Sequence, residues 1–269
     1  MNNLVKAHFC HHCFLQPSNP MTVNVIGAGG TGSQMLTALA RINHSLVALG
    51  HAGLSVTAWD ADVVTHANEG RQLFSASEVG LNKAVVLVNR INRFFGFDWK
   101  AAPTMYNKKT SELKNERALS NITISCVDTV AARFEIAAIL GGVTELHRYE
   151  RNHPYYWMDF GNSKHTGQVL LSTVGRLSQP ISKKFETVDY LPFVTDEFAD
   201  LLAQSEQRDD TPSCSLAEAL SKQDLFINSS LANIGASLLW QLFTEGILLN
   251  RGFFLNLKEY RTVPIKVGD

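Results

Sequence analysis

The stretch TVNVIGAGGTGSQ, residues 22–34, decides how this chain is read. Val23, Val25 and Ile26 make a short apolar run of the kind that forms a buried strand. The run leads directly into a turn in which Gly27, Gly29 and Gly32 keep G-x-G-x-x-G spacing, with Gly30 as an additional glycine. Glycine tolerates positive φ and lets an anion come close to the backbone. The first N–H groups of the helix that follows point at such an anion. A strand before this turn and a helix after it give the context in which the motif means nucleotide binding. A tight strand-to-helix turn without a ligand uses the same residues.

Working outward, Leu36, Leu39, Ala40 and Leu46 have the spacing of a half-buried helix over residues 33–49. Leu54, Val56 and Ala58 then alternate with Ser55, Thr57 and Trp59, the period of a strand ending at Asp60. An acid at the tip of the second strand of a βαβ unit is placed to accept ribose hydroxyls. Its bland reading is a turn residue. Downstream, Asp62, Asn68, Arg71, Gln72 and Lys83 surround a turn and a helix start. Ser75 and Glu78 have capping-box spacing, predicting a helix on through Val79, Val86, Leu87, Ile91 and Phe94. A hydride-transferring cofactor needs backbone contacts and one acid. A triphosphate about to be cleaved also needs cations and an acid for magnesium. Arg71 and Lys83 are the right types, although solvated surface charge is the usual fate of both.

Composition narrows the field. The chain has 269 residues, 45% of them apolar and 18% charged, with a formal net charge of −1. These are the proportions of an ordinary globular protein. That charge gives no reason to expect nucleic acid or an anionic membrane as partner. No apolar run approaches a membrane span, and the N-terminus lacks a secretory layout. Four cysteines do not make a disulfide framework in a chain this long, so a cytoplasmic setting is expected. Residues 1–20 read as an arm ahead of the main fold, with Cys10 and Cys13 flanking His11 and His12. One C-x-x-C without a second is an incomplete zinc site.

GAGGTGS, DADVVTHANEGRQ and VGLNK together resemble the adenylation domain of the ThiF/MoeB/HesA family, relatives of the ubiquitin-activating enzymes. The resemblance implies binding of ATP and Mg²⁺ and adenylation of the C-terminal carboxylate of a small ubiquitin-like protein. It implies that Asp60 holds ribose, that Asn68, Arg71 and Lys83 hold phosphates, and that Gln72 completes an Arg–Gln pair. Asp62 would be accessory. Glu69 stands where the family has an apolar residue. Residues 122–127 read as another buried strand, and SCVDTVAARF resembles the family's strand–Asp–helix element, which makes Asp128 the magnesium ligand. The same Asp128 reads as a helix N-cap, and Arg133 as structural.

The expected architecture is a Rossmann-like, doubly wound α/β fold, mostly parallel, with an antiparallel, helix-bearing C-terminal half. Residues 21–175 would be the ATP-binding core and 176–269 an elaboration of the same domain. YYWMDF from Tyr155 and GQVLLS from Gly167 read as two strands joined by a turn. Leu231, Ile234, Leu238 and Leu242 give a helical core stripe. The tail from residue 212 is similar to the ThiF-family proteins of the PRTRC cassettes. That similarity implies a bacterial plasmid setting and a ubiquitin-like partner from the same cassette. In some relatives a cysteine before the last helix takes over the adenylated carboxylate as a thioester, a role that would fall to Cys214. A small buried hydrophobe is its other reading. Relatives also imply a homodimer. Many bring an N-terminal arginine onto the phosphates, but residues 1–20 hold no Arg and only Lys6 as a cation. The relatives' four zinc-binding cysteines are missing, so no structural zinc is expected. Two other readings stand: an NAD-dependent dehydrogenase, which leaves Arg71, Lys83 and Asp128 unexplained, and a non-catalytic nucleotide-binding adaptor.

Overall fold

The computed structural model describes residues 4–109, 118–143, 151–205, 217 and 221–268. In the first half, β1 (Val5–Phe9), β2 (Met21–Ile26), α1 (Gly30–Ala48), β3 (Leu54–Trp59), α2 (Lys83–Phe95), β4 (Lys100–Ala102), β5 (Ile122–Ser125) and α3 (Val130–Gly141) follow in order. The second half adds β6 (Tyr156–Asn162), β7 (Thr166–Thr173), β8 (Phe185–Thr187), α4 (Val194–Glu197) and α5 (Ala199–Ser205). It closes with α6 (Ile227–Thr244), β9 (Ile247–Leu248), β10 (Asn250–Asn256) and β11 (Arg261–Lys266).

Eight strands share one sheet in the order β11-β10-β7-β6-β5-β2-β3-β4. Pairings from β4 through β6 are parallel, and those from β6 to β11 are antiparallel. The expected Rossmann-like sheet with an antiparallel half is what the chain builds. Strands covered on both faces need apolar side chains throughout, and Val23, Val25, Ile26, Ile122 and Ile124 are all buried. The polar exception, Asn24, accepts a hydrogen bond from Trp59 Nε1 (3.0 Å) and donates one to the Ala118 carbonyl (3.2 Å). Buried polar groups survive in a core when satisfied in this way.

From β2 the chain crosses by α1 to β3 on one side, while β5 lies on β2's other side. The strand order therefore reverses at β2, and in open α/β sheets ligands bind beyond the carboxyl ends of the strands at such a reversal, here those of β2 and β5. Helix α1 packs against α6, whose Leu231, Leu238 and Leu242 are buried and whose Ile234 is half-buried. Gly235 lets α6 lie close on the sheet, since a Cβ there would stand 2.6 Å from the Phe160 ring.

Three expectations change. Residues 4–20 do not stand ahead of the main fold as an arm. Strand β1 pairs in parallel with β8 and antiparallel with β9, and Phe14 is fully buried against Tyr155, Tyr156 and Phe243. The Ser75–Glu78 capping box closes only a 3₁₀ turn, Ala76–Glu78. Gly80 at φ +86° turns the chain away, so α2 starts at Lys83, with Asn82 capping the Val85 N–H and Val79 left outside the helix. Strand β5 ends at Ser125, which puts Cys126 in the loop beside the glycine turn rather than in a strand. Cys214 and the charged run at residues 207–210 lie outside the described residues. Among the described residues no helix is long and apolar enough to cross a membrane.

Candidate functional site

The glycine turn is fixed by backbone contacts. Gly27 adopts φ +88°, and a Cβ on it would lie 2.7 Å from the Cys126 carbonyl oxygen. On Gly32 a Cβ would lie 1.8 Å from the Gly27 carbonyl oxygen, so no side chain fits. Gly29 is the N-cap of α1 and supplies no side-chain acceptor, which leaves first-turn N–H groups of a nineteen-residue helix for an anion. The side-chain amide of Gln72 stands 3.9 Å from where a Gly29 Cβ would be.

Asp60 braces this turn. Its Oδ2 accepts the Ala28 N–H at 2.6 Å and its Oδ1 the Asp62 N–H at 2.8 Å. Burial pushes its pKa up, against the lowering effect of those two N–H donors and of Lys83. Asn82 ties the next loop to α2 by donating to the carbonyls of Asp60 (2.8 Å) and Asp62 (3.1 Å). Lys83, the first residue of α2, is buried, and its ammonium donates to Asp62 Oδ2 at 2.9 Å. Asp62 is 69% exposed on its side of the pair, so water screens the bond and weakens its hold on the ammonium.

Asn68 is buried with its Oδ1 accepting the Thr65 N–H at 2.8 Å in a capping box. Glu69, the departure from the family pattern, faces outward to His66 at 2.8 Å. Arg71 donates from Nη1 to Gln223 Oε1, and its buried Nε has no partner among the described residues. Burial lowers its pKa. Gln72 is buried, and its Oε1 also lacks a partner among the described residues. Buried polar atoms left unpaired are costly, and a bound group can satisfy them; the others among the described residues are Nε and Nη1 of Arg251 in β10.

Asp128 sits just beyond β5 and is exposed, with no side-chain hydrogen bond among the described residues. The cap of α3 is its neighbour Thr129, whose hydroxyl accepts the Ala132 N–H at 3.3 Å. The capping role expected of Asp128 thus belongs to Thr129, and the carboxylate is free for a ligand. Arg133 pins this loop from within. It reaches both oxygens of buried Asp159 at 3.2 and 3.1 Å, and donates to the carbonyls of Thr129 (3.2 Å), Val127 (2.8 Å) and Phe160 (2.8 Å).

Among the described residues no three His, Cys, Asp or Glu side chains form a metal-ligand set. A lone Asp128 still fits magnesium, which keeps most of its waters and takes one or two carboxylates together with substrate phosphates. The thiols fit poorly. Burial pushes Cys10 up to about 12, and Cys13 and Cys126 upward as well. Protonated thiols neither attack nor ligate well. A separate concavity of about 470 Å³ lies between Arg176, Gln179, Thr187 and Asp189. Arg176 is neutralised there by Asp189 at 2.8 Å, and that hollow lacks a glycine turn or helix start.

The structure therefore gathers Gly27, Gly29, Gly30, Gly32, Asp60, Asp62, Lys83, Arg71 and Gln72 around one turn, with Asp128 at the neighbouring strand end. Four polar residues not foreseen from the sequence join them: Thr31, Asn162, Gln223 and Asn228.

A family model described as the ThiF family matches residues 9–238. Among solved structures, the crystal structure of selenomethionine PaaA superposes with a TM-score of 0.58 at 15% identity, covering 91% of this chain and 72% of its own. Escherichia coli MccB gives a TM-score of 0.58 at 14% identity, covering 95% of this chain and 63% of its own length. At such identities both likenesses concern the fold. No curated protein matches the chain in sequence.

Proposed function

The chain belongs to the ThiF family, a family of adenylyltransferases, and on that premise we propose that it binds Mg·ATP and adenylates a carboxylate. One observation carries the reading: a guanidinium whose buried Nε has no partner among the described residues and a buried ammonium flank a glycine turn in which Gly27 and Gly32 admit no side chain. Dinucleotide binding explains the turn and Asp60 but has no use for those two cations.

In this reading a carboxylate oxygen attacks the α-phosphorus in line, a P–O bond forms, and the bond to the β-phosphate breaks to release pyrophosphate. Arg71 and Lys83 meet the charge spreading over the phosphate oxygens, with first-turn N–H groups of α1. Asn68, with its oxygen spent on Thr65, offers its amide N–H₂ as a donor. Asp60 holds the turn and, through its remaining lone pairs, the ribose. Asp128 would hold magnesium, which supplies charge neutralisation and phosphate orientation when bound. The substrate we propose is the C-terminal carboxylate of a small ubiquitin-like protein of a PRTRC-type plasmid cassette, handled by a cytoplasmic homodimer. Attack of the Cys214 thiolate on the adenylated carbonyl, forming the thioester and releasing AMP, would be a following step.

The test is thermal and isotopic. Mg·ATP at a hundredfold excess over its dissociation constant should raise stability by about 2.7 kcal/mol. Lys83→Ala removes one charge-assisted bond and should weaken that binding roughly ten- to a hundredfold, and abolish ATP–pyrophosphate exchange in the presence of the acceptor. A shift with NAD and none with Mg·ATP would overturn the assignment. ATP binding with no exchange would leave an adaptor.

A further inference from the structure

Arg71 is held by a part of the chain remote in sequence. Gln223, in the turn before α6, accepts from its Nη1. The same Gln223 oxygen accepts Asn228 Nδ2 at 3.0 Å. Asn228 Oδ1 in turn accepts Thr31 Oγ1 at 2.8 Å and Asn162 Nδ2 at 2.8 Å. A Cβ on Gly30 would stand 2.6 Å from the Asn228 amide, so the extra glycine of the turn makes room for that side chain. The glycine turn, the end of β6, the start of α6 and Arg71 thus share one chain of neutral amides and a hydroxyl.

A guanidinium presents donors on separate edges. Nη1 lies on the edge away from Nε–H, and the Nε–Nη2 edge is the one that takes an oxyanion side-on. Gln223 occupies Nη1 and leaves the Nε edge open, where Nε is buried and has no partner among the described residues. Being neutral, its amide orients the guanidinium without cancelling its charge. A carboxylate in the same place would do both.

We propose that Gln223 is a positioning residue that presents the Nε edge of Arg71 to a phosphate group, with Asn228 fixing Gln223 and the Gly30 turn in mutual register. The phosphate-binding reading of the site is its premise. It adds a specific task for the C-terminal third: keeping the cation aimed and charged before the nucleotide arrives.

The experiment uses the full chain and three probes, Mg·ATP, tripolyphosphate and adenosine, by calorimetry with thermal melts. Gln223→Glu keeps the shape and the bond but neutralises Arg71. It should weaken Mg·ATP and tripolyphosphate by about tenfold or more, leave adenosine unchanged, and leave the melting temperature equal or higher. Gln223→Met, which cannot accept a bond, should weaken the same two probes less. A purely structural Gln223 would show the opposite pattern, with Gln223→Glu binding like wild type and Gln223→Met lowering the melting temperature and all probes together. That outcome refutes the positioning role alone. A wild-type protein that binds neither Mg·ATP nor tripolyphosphate refutes the phosphate-binding premise, and the role with it.

Discussion

Replacing Arg133 by methionine is the sharpest probe of how the loop carrying Asp128 is held. Arg133 is 5% exposed and Asp159 1% exposed, so neither charge has water to fall back on. The substitution removes two contacts to Asp159 and leaves the carbonyls of Val127, Thr129 and Phe160 without their guanidinium donors. Among the described residues, what remains for Asp159 is the Ser125 hydroxyl at 2.5 Å, itself accepting from Trp157 Nε1 at 2.7 Å. Breaking a buried pair from one side costs about 3–5 kcal/mol. Against a typical total of roughly 5–15 kcal/mol, that is a large loss. Urea denaturation read by tryptophan fluorescence should show it as a lower midpoint with an unchanged slope. In Arg133→Met/Asp159→Asn the orphaned charge is gone, and the double variant should be more stable than Arg133→Met alone. Val127 and Thr129 flank Asp128, so Mg·ATP binding should weaken in Arg133→Met at temperatures where it is still folded. A loss below about 1 kcal/mol, or a double variant as unstable as the sum of the singles, would refute this account of the loop.

Two further outcomes are expected. Gly32→Ala drives a Cβ onto the Gly27 carbonyl at 1.8 Å and should abolish folding, whereas Gly80→Ala, at φ +86° in open space, should cost about 1–2 kcal/mol. Chemical denaturation of the two variants tests this, and a folded Gly32→Ala protein would sink the close-approach argument. His8 donates through Nδ1 to the Val188 carbonyl (2.7 Å), faces the Tyr156 hydroxyl with Nε2 (2.8 Å), and has its pKa lowered by burial from the ordinary 6.5. The folded state then binds fewer protons than the unfolded one. Stability should be full above about pH 6.5 and fall below it by up to ~1.4 kcal/mol per pH unit. Urea midpoints at pH 7.5 and about pH 5.5 should diverge less in His8→Phe, with a residual slope from His11 and His51, which burial shifts the same way. Equal slopes in both proteins would remove His8 as the cause.

What could be read in advance was local. The run of Val23, Val25 and Ile26 into the glycines, the alternation ending at Asp60, and the stripe of Leu231, Leu238 and Leu242 each carry their own period. Thr31 and Asn228 meet across 197 positions, and an isolated amide has no period to betray its partner. The Ser75–Glu78 box was a true capping motif that closes a shorter turn, because Gly80 redirects the chain before α2. Asp128 and Thr129 are both cap-type residues, and only the backbone decides which of them accepts the Ala132 N–H. Strand β1 has two buried residues and three that are not, and nothing near it in sequence names residues 185–187 as its neighbours.

The division of labour within the site follows from where each acceptor is spent. Asp60 gives an oxygen to each of two backbone N–H groups, and Asn68 gives its oxygen to Thr65. These groups shape loops whether or not a ligand is present, and what they leave over is mostly donor. Lys83 faces a carboxylate that water screens, and Arg71 faces a neutral amide. Both partners are weak competitors for a cation, and charge-assisted bonds to phosphate are about twice as strong as bonds to a neutral acceptor. Under the proposed function, an arriving phosphate would therefore meet cations already oriented and still charged. Asp128, exposed and without a side-chain hydrogen bond among the described residues, stands at the adjoining strand end, where on the proposed function a divalent ion carried on that phosphate would find it.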